Sequence, residues 1–483
     1  MNLKKIIEGV DVTGAAGNAE EKDIRMIHFD SRRIKKGDLF VAVRGTEEDG
    51  HRYIGKALSA GAVCVVCETI PDDPDPRVAW IGVRDSRKAL SMMASSFYGH
   101  PSRELRLVGV TGTNGKTTIA TLLHQLHALL GFRAGLLSTV QVLIGDEPFP
   151  ATHTTPDPVR INEYLRKMAD RGCDYCFMEV SSHAIDQERT GALHFAGGIF
   201  TNLTHDHLDY HRDFREYLTV KKRFFDGLPE EAFALVNNDD KNASVMLQNC
   251  RAGKHSYGMK SVSDFSGRIG EMHLEGSSLL INGSEVWVRL PGYFNASNLL
   301  AVYGASVLLG HRPGDVLKAL SRLDPVTGRF ETCRSASGVT GIVDYAHTPD
   351  ALSNILESIR QVIPAGAKLI TVVGAGGNRD TKKRPVMARI AAEASHLAIL
   401  TSDNPRFEDP EKILDDMMEG ITGDMMGRTM RIADRRQAIR TACMIAERDD
   451  IILIAGKGHE KYQEIMGERI MFDDMEILKK NMN

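Results

Sequence analysis

Residues 106–131 read RLVGVTGTNGKTTIATLLHQLHALLG, three elements in succession. The first five residues form an apolar run of the length of a buried strand. A glycine-rich turn, TGTNGKTT (111–118), follows, and then the apolar period of a helix over IATLLHQLHALLG (119–131). Strand, glycine loop and helix in that order are the building unit of a doubly wound α/β sheet. Backbone N–H groups over Gly112, Thr113, Asn114, Gly115, Lys116, Thr117 and Thr118 can cradle phosphates in such a loop. Lys116 is placed to neutralise phosphate oxygens, and the Thr117 hydroxyl to bind Mg²⁺. The usual pattern has glycine five residues before Gly115, where this chain has Val110. A glycine turn that binds nothing is the alternative reading, and the flanking strand and helix speak against it.

Working outward, YCFMEV (175–180), GGIFTNL (197–203) and FALVNN (233–238) read as further strands. PGYFNASNLLAVYGASVLLG (291–310) reads as a turn and then a helix capped near Asn295 or Ser297. Upstream, GDLFVAV (37–43) and AVCVVC (62–67) read as strands and SRKALSMMASSFYG (86–99) as a helix, with PDDPDP (71–76) as a turn. GHPSRE (99–104) reads as a linker. From about residue 333 a second α/β series begins: GIVDYA (341–346), KLITVVGAGG (368–377), HLAILTSDNP (396–405) and DIILIAGKG (450–458). Each of these strands ends in a polar or glycine-rich tail, and ligands of open parallel sheets bind at such ends. The tails DYAHTPD, GAGGNRD, SDNPR and GKGHE are therefore expected to converge on one crevice. The expected organisation is an N-terminal α/β domain (1–101), a central phosphate-loop, doubly wound domain (102–332) and a C-terminal Rossmann-like domain (333–483).

Length and composition agree. At about 150 residues per domain, 483 residues suit three domains. Lys plus Arg is 60 against 64 for Asp plus Glu, a net charge of −4 that argues against a general nucleic-acid binder. With 42% hydrophobic and 26% charged residues the chain is of ordinary globular type, so fibrous and disordered classes are excluded. The seven cysteines are sparse for this length, as expected in a reducing cytoplasm. The N-terminal residues lack the apolar core of a signal peptide, because Glu8 and Asp11 interrupt them. No apolar run is long enough to cross a bilayer, so no membrane insertion is expected.

Further motifs bear on chemistry. TNLTHDHLDYH (201–211) places His205, Asp206, His207, Asp209 and His211 directly after a strand, a cluster able to supply a metal ligand. A solvated polar loop is the alternative. Glu179, in MEVSSHAIDQER (178–189), ends a strand as a second Mg²⁺ ligand beside a phosphate loop should; a capping or salt-bridge role is the alternative. GAGGNRD (374–380) lacks the final glycine of a dinucleotide fingerprint, so NAD is rejected. Cys64 with Cys67, and Cys173 with Cys176, have zinc-like spacing but sit in or against apolar strands, so they read as buried small apolar residues.

As a set the motifs resemble the Mur ligases, ATP-dependent amide-bond-forming enzymes of peptidoglycan synthesis. The matching pieces are TGTNGKTT, HTTPD (153–157), EVSSHA (179–184), NLTHDHLDYH, YLTVK (217–221), PGYFNASN (291–298), GRFE (328–331), DYAHTPDAL (344–352), GGNRDTKKRP (376–385), DNPR (403–406) and GKGHE (456–460). They stand in family order over nearly the whole chain. DSR (30–32), HTTPD and DNPR look like those members that add the diamino acid to UDP-N-acetylmuramoyl-L-alanyl-D-glutamate.

The resemblance implies three domains, which hold the UDP end of the substrate, ATP, and the incoming amino acid. It implies that ATP phosphorylates the D-Glu carboxylate and that an amine displaces phosphate from the acyl phosphate. Lys116, His207 and Lys221 would be catalytic; Thr117 and Glu179 would hold a first Mg²⁺, and His207 and Lys221 would serve a second. The lysine matching Lys221 is carbamylated in the family, which turns a cation into a carboxylate-like ligand; from spacing alone an ordinary surface lysine beside Lys222 and Arg223 is favoured. Asn295 and Asn298 resemble the adenine contacts, Asp344 the ribose ligand and Arg329 a γ-phosphate contact. Ser31, Thr154, Thr155, Ser181, Gln187 and Arg189 match positions that hold the UDP-muramoyl dipeptide.

The amino acid expected is meso-diaminopimelate, whose extra carboxylate calls for a cation. Arg406 suits it, with Arg379 as a second candidate. Asp403, Asn404, Pro405, Gly456 and Glu460 would take the ammonium and the remaining polar edges. A structural salt bridge from Arg406 to Glu408 or Asp409 is the bland alternative. Other readings are an L-lysine-adding ligase of the same family, a folylpolyglutamate synthetase-like ligase, and a non-catalytic nucleotide-binding module. The partners expected are small molecules, with no nucleic acid and no obligate protein partner, in a bacterial cytoplasm.

Overall fold

The computed structural model describes residues 1–17, 22–45, 48–150, 153–204, 206 and 210–482. They build three sheets in chain order, plus a two-stranded hairpin, Tyr462–Ile465 with Glu468–Met471. The first sheet has the spatial order Val12–Ala16, Ala79–Val83, Cys64–Cys67, Leu39–Val41, Ile27–His28, parallel except for its first pair. Side chains alternate across a strand. Accordingly Cys64 and Val66 pack in one apolar cluster and Val65 and Cys67 in another on the opposite face. All four cysteines of the two CxxC pairs are free and buried, as small apolar residues.

The central sheet has eleven strands. Seven consecutive ones run parallel, from Phe265–His273 through Gly253–Gly258, Phe233–Asn237, Gly197–Phe200, Arg106–Thr111 and Tyr175–Glu179 to Ala134–Leu137. Antiparallel strands extend both edges, Gly276–Ile281 with Ser284–Val288 on one side and Val142–Ile144 with Glu147–Phe149 on the other. These edge strands carry no long apolar run and were not legible from periodicity. Helices Lys116–Leu129 and Tyr293–Leu308 cover one face, and Pro158–Asp170 and Phe214–Asp226 the other.

The helix expected to be capped near Asn295 or Ser297 instead starts at Tyr293 and is capped by Gly292, whose φ of 97° favours glycine. Asn295 lies inside the first turn and donates back to the Pro291 carbonyl (2.8 Å). The expected linker at 99–104 is also not loose. It contains a short 3₁₀ turn, Pro101–Arg103, with Pro101 and Ser102 buried, and the Ser102 hydroxyl accepts from the His194 N–H (3.0 Å).

The third sheet has the order Glu331–Arg334, Thr340–Asp344, Ile451–Ala455, Leu369–Ala375, Leu397–Ser402, Thr429–Arg431, parallel but for the first pair. Its four inner strands end where the polar tails begin. Among the described residues no helix is long and apolar enough to cross a membrane.

Candidate active site

One cleft of about 1190 Å³ is lined by the phosphate loop, by residues 153–155, and by residues of all four C-terminal tails. The strand Arg106–Thr111 delivers the phosphate loop to the floor. Gly112 has φ 150°, and a Cβ there would stand 1.8 Å from the Thr201 hydroxyl. Gly115 caps the following helix with φ 87°, and a Cβ there would stand 2.6 Å from Asn298 Oδ1. Both positions therefore need glycine. The helix thus starts at Lys116, three residues before the apolar period begins.

Lys116 Nζ donates to the carbonyls of Gly112 (3.0 Å) and Thr113 (2.7 Å). Burial pushes its pKa down, opposed by the carboxylates of Glu179 and Asp206. Glu179 is paired in register with Val110, so the neighbouring strand presents its carboxylate beside the loop. Glu179 Oε1 accepts from the Thr117 hydroxyl (2.9 Å) and the Thr139 N–H (2.7 Å). Arg329 reaches the same hydroxyl through Nη2 at 3.1 Å, with its guanidinium 4.5 Å from the Tyr345 ring centre.

Lys221 is not the surface lysine that spacing alone favours. It is 1% exposed, and its Nζ donates to the Gly112 carbonyl at 2.8 Å and lies 4.8 Å from the Tyr217 ring centre. Burial lowers its pKa well below that of an ordinary lysine, and the nearby Lys116 ammonium adds to this. Of the histidine–aspartate cluster, Asp206 lines the cleft and His211 is buried. His207, His205 and Asp209 lie outside the described residues. Among the described residues no three His, Cys, Asp or Glu stand together as a metal-binding group.

The arc beyond the loop is tightly hydrogen-bonded. Thr155 Oγ1 donates to the Glu179 carbonyl (2.9 Å) and accepts from the Ser181 N–H (3.1 Å). Arg189 donates to the Thr155 carbonyl through Nη1 (2.7 Å) and to Gln187 Oε1 through Nη2 (2.6 Å). Thr154, Thr155, Ser181 and Arg189 line the cleft. Gln187, Asn295 and Ser31 are not among the residues that line it, and Asn295 and Ser31 are buried.

The opposite wall comes from the third sheet. Asp344 is held by the N–H groups of Phe330 and Ala346, each at 2.7 Å, and burial raises its pKa. Arg379, Asp403, Asn404, Arg406, Gly456 and Glu460 line the cleft together. Arg406 adopts a left-handed backbone (φ 53°), and its Nη1 donates to the Gly377 carbonyl at 2.7 Å. The bland alternative fails for Glu408, which pairs instead with Arg384. Gly456 lets the chain pass close to Asp403, whose Oδ2 would stand 2.7 Å from a Cβ at that position.

Several residues in or beside the cleft carried no sequence signal of their own. Asp350 accepts from the Asn114 side chain (3.0 Å), tying the third domain to the phosphate loop. His347 and His459 stand half-buried in the wall, and desolvation pulls the His347 pKa down to about 4. Both sit in quoted tails, so the convergence of strand ends was the available clue.

Comparison with known proteins is consistent with this geometry. Residues 23–98 match the Mur ligase family catalytic domain, 110–306 the Mur ligase middle domain and 328–458 the Mur ligase glutamate ligase domain. A Bacteroides thetaiotaomicron protein named UDP-N-acetylmuramoyl-L-alanyl-D-glutamate–2,6-diaminopimelate ligase is 55% identical over 481 residues, covering 100% of this chain and 99% of its own. A Cytophaga hutchinsonii protein of the same name is 50% identical, covering 99% of each chain. A solved structure bearing that name superposes with a TM-score of 0.69 at 30% identity, over 100% of this chain and 98% of its own. A Mycobacterium tuberculosis folylpolyglutamate synthase complexed with ADP shares the fold at TM-score 0.63 and 17% identity, over 77% of this chain and 91% of its own. On its domain matches and full-length relatives, the chain belongs to the Mur ligase family.

Proposed function

We propose that this chain is an ATP-dependent ligase of peptidoglycan precursor synthesis, which joins meso-diaminopimelate to the D-Glu carboxylate of UDP-N-acetylmuramoyl-L-alanyl-D-glutamate. The observation that carries this reading is one cleft with a phosphate loop on its floor and a wall holding both signs of charge. Arg379 and Arg406 stand there with Asp403 and Glu460. Diaminopimelate has a carboxylate and an ammonium at its far end, so it needs both. L-lysine would leave the half-buried Arg406 guanidinium facing the cleft without a carboxylate to neutralise it. The folylpolyglutamate reading rests on a likeness of 17% identity over 77% of the chain, against 55% over all of it for a relative carrying the diaminopimelate name.

In the reaction, a carboxylate oxygen of D-Glu attacks the γ-phosphorus and the bond to ADP breaks. The amine then attacks the acyl carbon and phosphate leaves. Positioning and charge neutralisation are the protein's part in both steps. Lys116 would offset charge on the transferring phosphoryl group, and Arg329 would meet the same group from the facing domain. Asn298 and Asp344 would contact adenosine, with Asn295 bracing the adenine side from behind. Thr154, Thr155, Ser181 and Arg189 would grip the dipeptide end, braced by Gln187, while Ser31 and the first domain hold the UDP end.

Thr117 Oγ1 and Glu179 Oε1 are hard oxygen donors 2.9 Å apart beside the phosphate loop, which fits Mg²⁺. Bound there, the ion would neutralise β- and γ-phosphate charge. Lys221 as an ammonium would repel a second ion. As a neutral amine its nitrogen can add to CO₂ with loss of one proton, giving a carbamate that, with His207, would serve that ion. Its burial beside Lys116 favours the neutral amine. The precursor chemistry supports a bacterial cytoplasmic location.

The test is ligation with a panel of amino acids. ATP hydrolysis should appear only when the muramoyl dipeptide and diaminopimelate are both present. Diaminopimelate should exceed L-lysine by about 10⁴-fold in kcat/KM, since a site built around a polar group rejects an analogue that lacks it. Comparable kcat/KM for the two amino acids would overturn the assignment.

A further inference from the structure

We infer that Lys457 is a positioning residue for the incoming amino acid: its buried ammonium locks Asn404 and Glu460 into one arrangement that leaves Glu460 Oε1 for the ligand's ammonium. This rests on the diaminopimelate site proposed above, which assigns Asn404 and Glu460 but gives Lys457 no part.

Lys457 is 0% exposed, two residues beyond the strand Ile451–Ala455. Its Nζ donates to Asn404 Oδ1 at 2.9 Å and to Glu460 Oε2 at 3.1 Å, and stands 5.4 Å from the Tyr462 ring centre. A lysine kept only to satisfy its own charge needs one carboxylate. Here the ammonium bridges the SDNPR and GKGHE tails, 53 residues apart in sequence.

The consequence for Asn404 is directional. Its Oδ1 accepts from Lys457 Nζ and from the Glu464 N–H (3.0 Å), and its Nδ2 donates to Glu460 Oε2 (2.8 Å). Flipping the amide would point its NH₂ group at two donors, so the orientation is forced. Glu460 Oε2 is then occupied by Nζ and Nδ2, while Oε1 accepts from no described residue and Glu460 lines the cleft.

Electrostatics point the same way. Burial raises the Asp403 pKa, yet the cations of Lys457 and Arg435 outweigh it and hold the group ionised. Arg435 acts one layer deeper. It is paired to Asp474 (2.8 and 2.7 Å) and donates to the Ala455 carbonyl, at the residue before Gly456 (3.1 Å). Of these two cations, Lys457 touches the cleft-lining side chains Asn404 and Glu460.

The experiment is steady-state ligation with each substrate varied, on Lys457→Met, Glu460→Gln and the double variant, with folding checked by thermal melting. In Lys457→Met the KM for diaminopimelate should rise about 20-fold, with kcat and the KM values for ATP and muramoyl dipeptide within about three-fold of wild type. The double variant should be no worse than the weaker single one, because both lesions undo the same arrangement. An unchanged diaminopimelate KM, an equal rise in all three KM values, or strict additivity would overturn the inference. If the methionine variant does not fold, Lys457→Gln, which keeps a donor but not the charge, should raise the diaminopimelate KM about five-fold, and no rise would again refute the role. Glu460→Gln separates the two levels. If it leaves the diaminopimelate KM unchanged, the site assignment itself fails; if it raises that KM while Lys457→Met does not, only the role of Lys457 fails.

Discussion

The phosphate loop and the C-terminal wall face each other across one cleft but are built by opposite means. The loop is made of backbone. Eight consecutive residues, TGTNGKTT, supply its N–H groups, and its shape depends on two glycines that tolerate no side chain. The wall is made of side chains from strand ends up to about a hundred residues apart in sequence. Its shape depends on buried ions such as Lys457 and the Arg435–Asp474 pair. A phosphate is nearly the same in every member of a nucleotide-using family, so a local backbone cradle suffices. An amino acid must be told from its analogues, and that takes charges placed from several directions.

If the two regions do separate work, damage to each should read out differently. The largest effect is expected at Lys116. Lys116→Ala should lower kcat by about 100-fold or more while the fold persists, because it removes charge stabilisation of the transferring phosphoryl group. Near-normal turnover would break the nucleotide assignment.

Lys221 belongs to the same side of the comparison. Lys221→Ala should be nearly inactive, by about 100-fold, and acetate or formate should restore part of the activity if a carbamate is the working form. An active preparation whose electron density shows an unmodified amine would exclude it.

On the facing wall, Arg406→Ala should cut kcat/KM for diaminopimelate by about 30-fold or more, as expected when the cation facing a ligand carboxylate is removed. Its KM for ATP should stay near wild type. A joint rise in both would mean that wall and loop are not separable.

The smallest effect is expected between them. Arg189→Ala should raise the KM for the muramoyl dipeptide by about ten-fold with little change in kcat, if its contact is the same in ground and transition states. A fall in kcat without a change in KM would instead place Arg189 in the chemistry.

Much of this protein could be read before folding was considered. The phosphate loop was legible because strand, glycine turn and helix are contiguous, so their spacing is their geometry. The strand-end tails were legible one by one, since each apolar run of the third sheet stops at a polar motif. Arg379, Arg406 and Glu460 were therefore identified from sequence as candidates. The edge strands at 142–149 and 276–288 were not legible, because short strands joined by tight turns leave no sustained period. The start of the helix at Tyr293 was missed because Gly292, not a side-chain cap, sets it.

Sequence alone thus determined the α/β class, the phosphate loop and the kind of chemistry, because each depends on residues adjacent in the chain. Only the tertiary structure decided the state of single groups. Lys221 reads as a surface lysine next to Lys222 and Arg223, yet a helix turns it under the phosphate loop and leaves it 1% exposed. Lys457 reads as one charge in a glycine-rich tail, yet it is the buried link between two strand ends. Burial and ion pairing depend on what packs against a residue from distant parts of the chain, and local spacing carries no record of that.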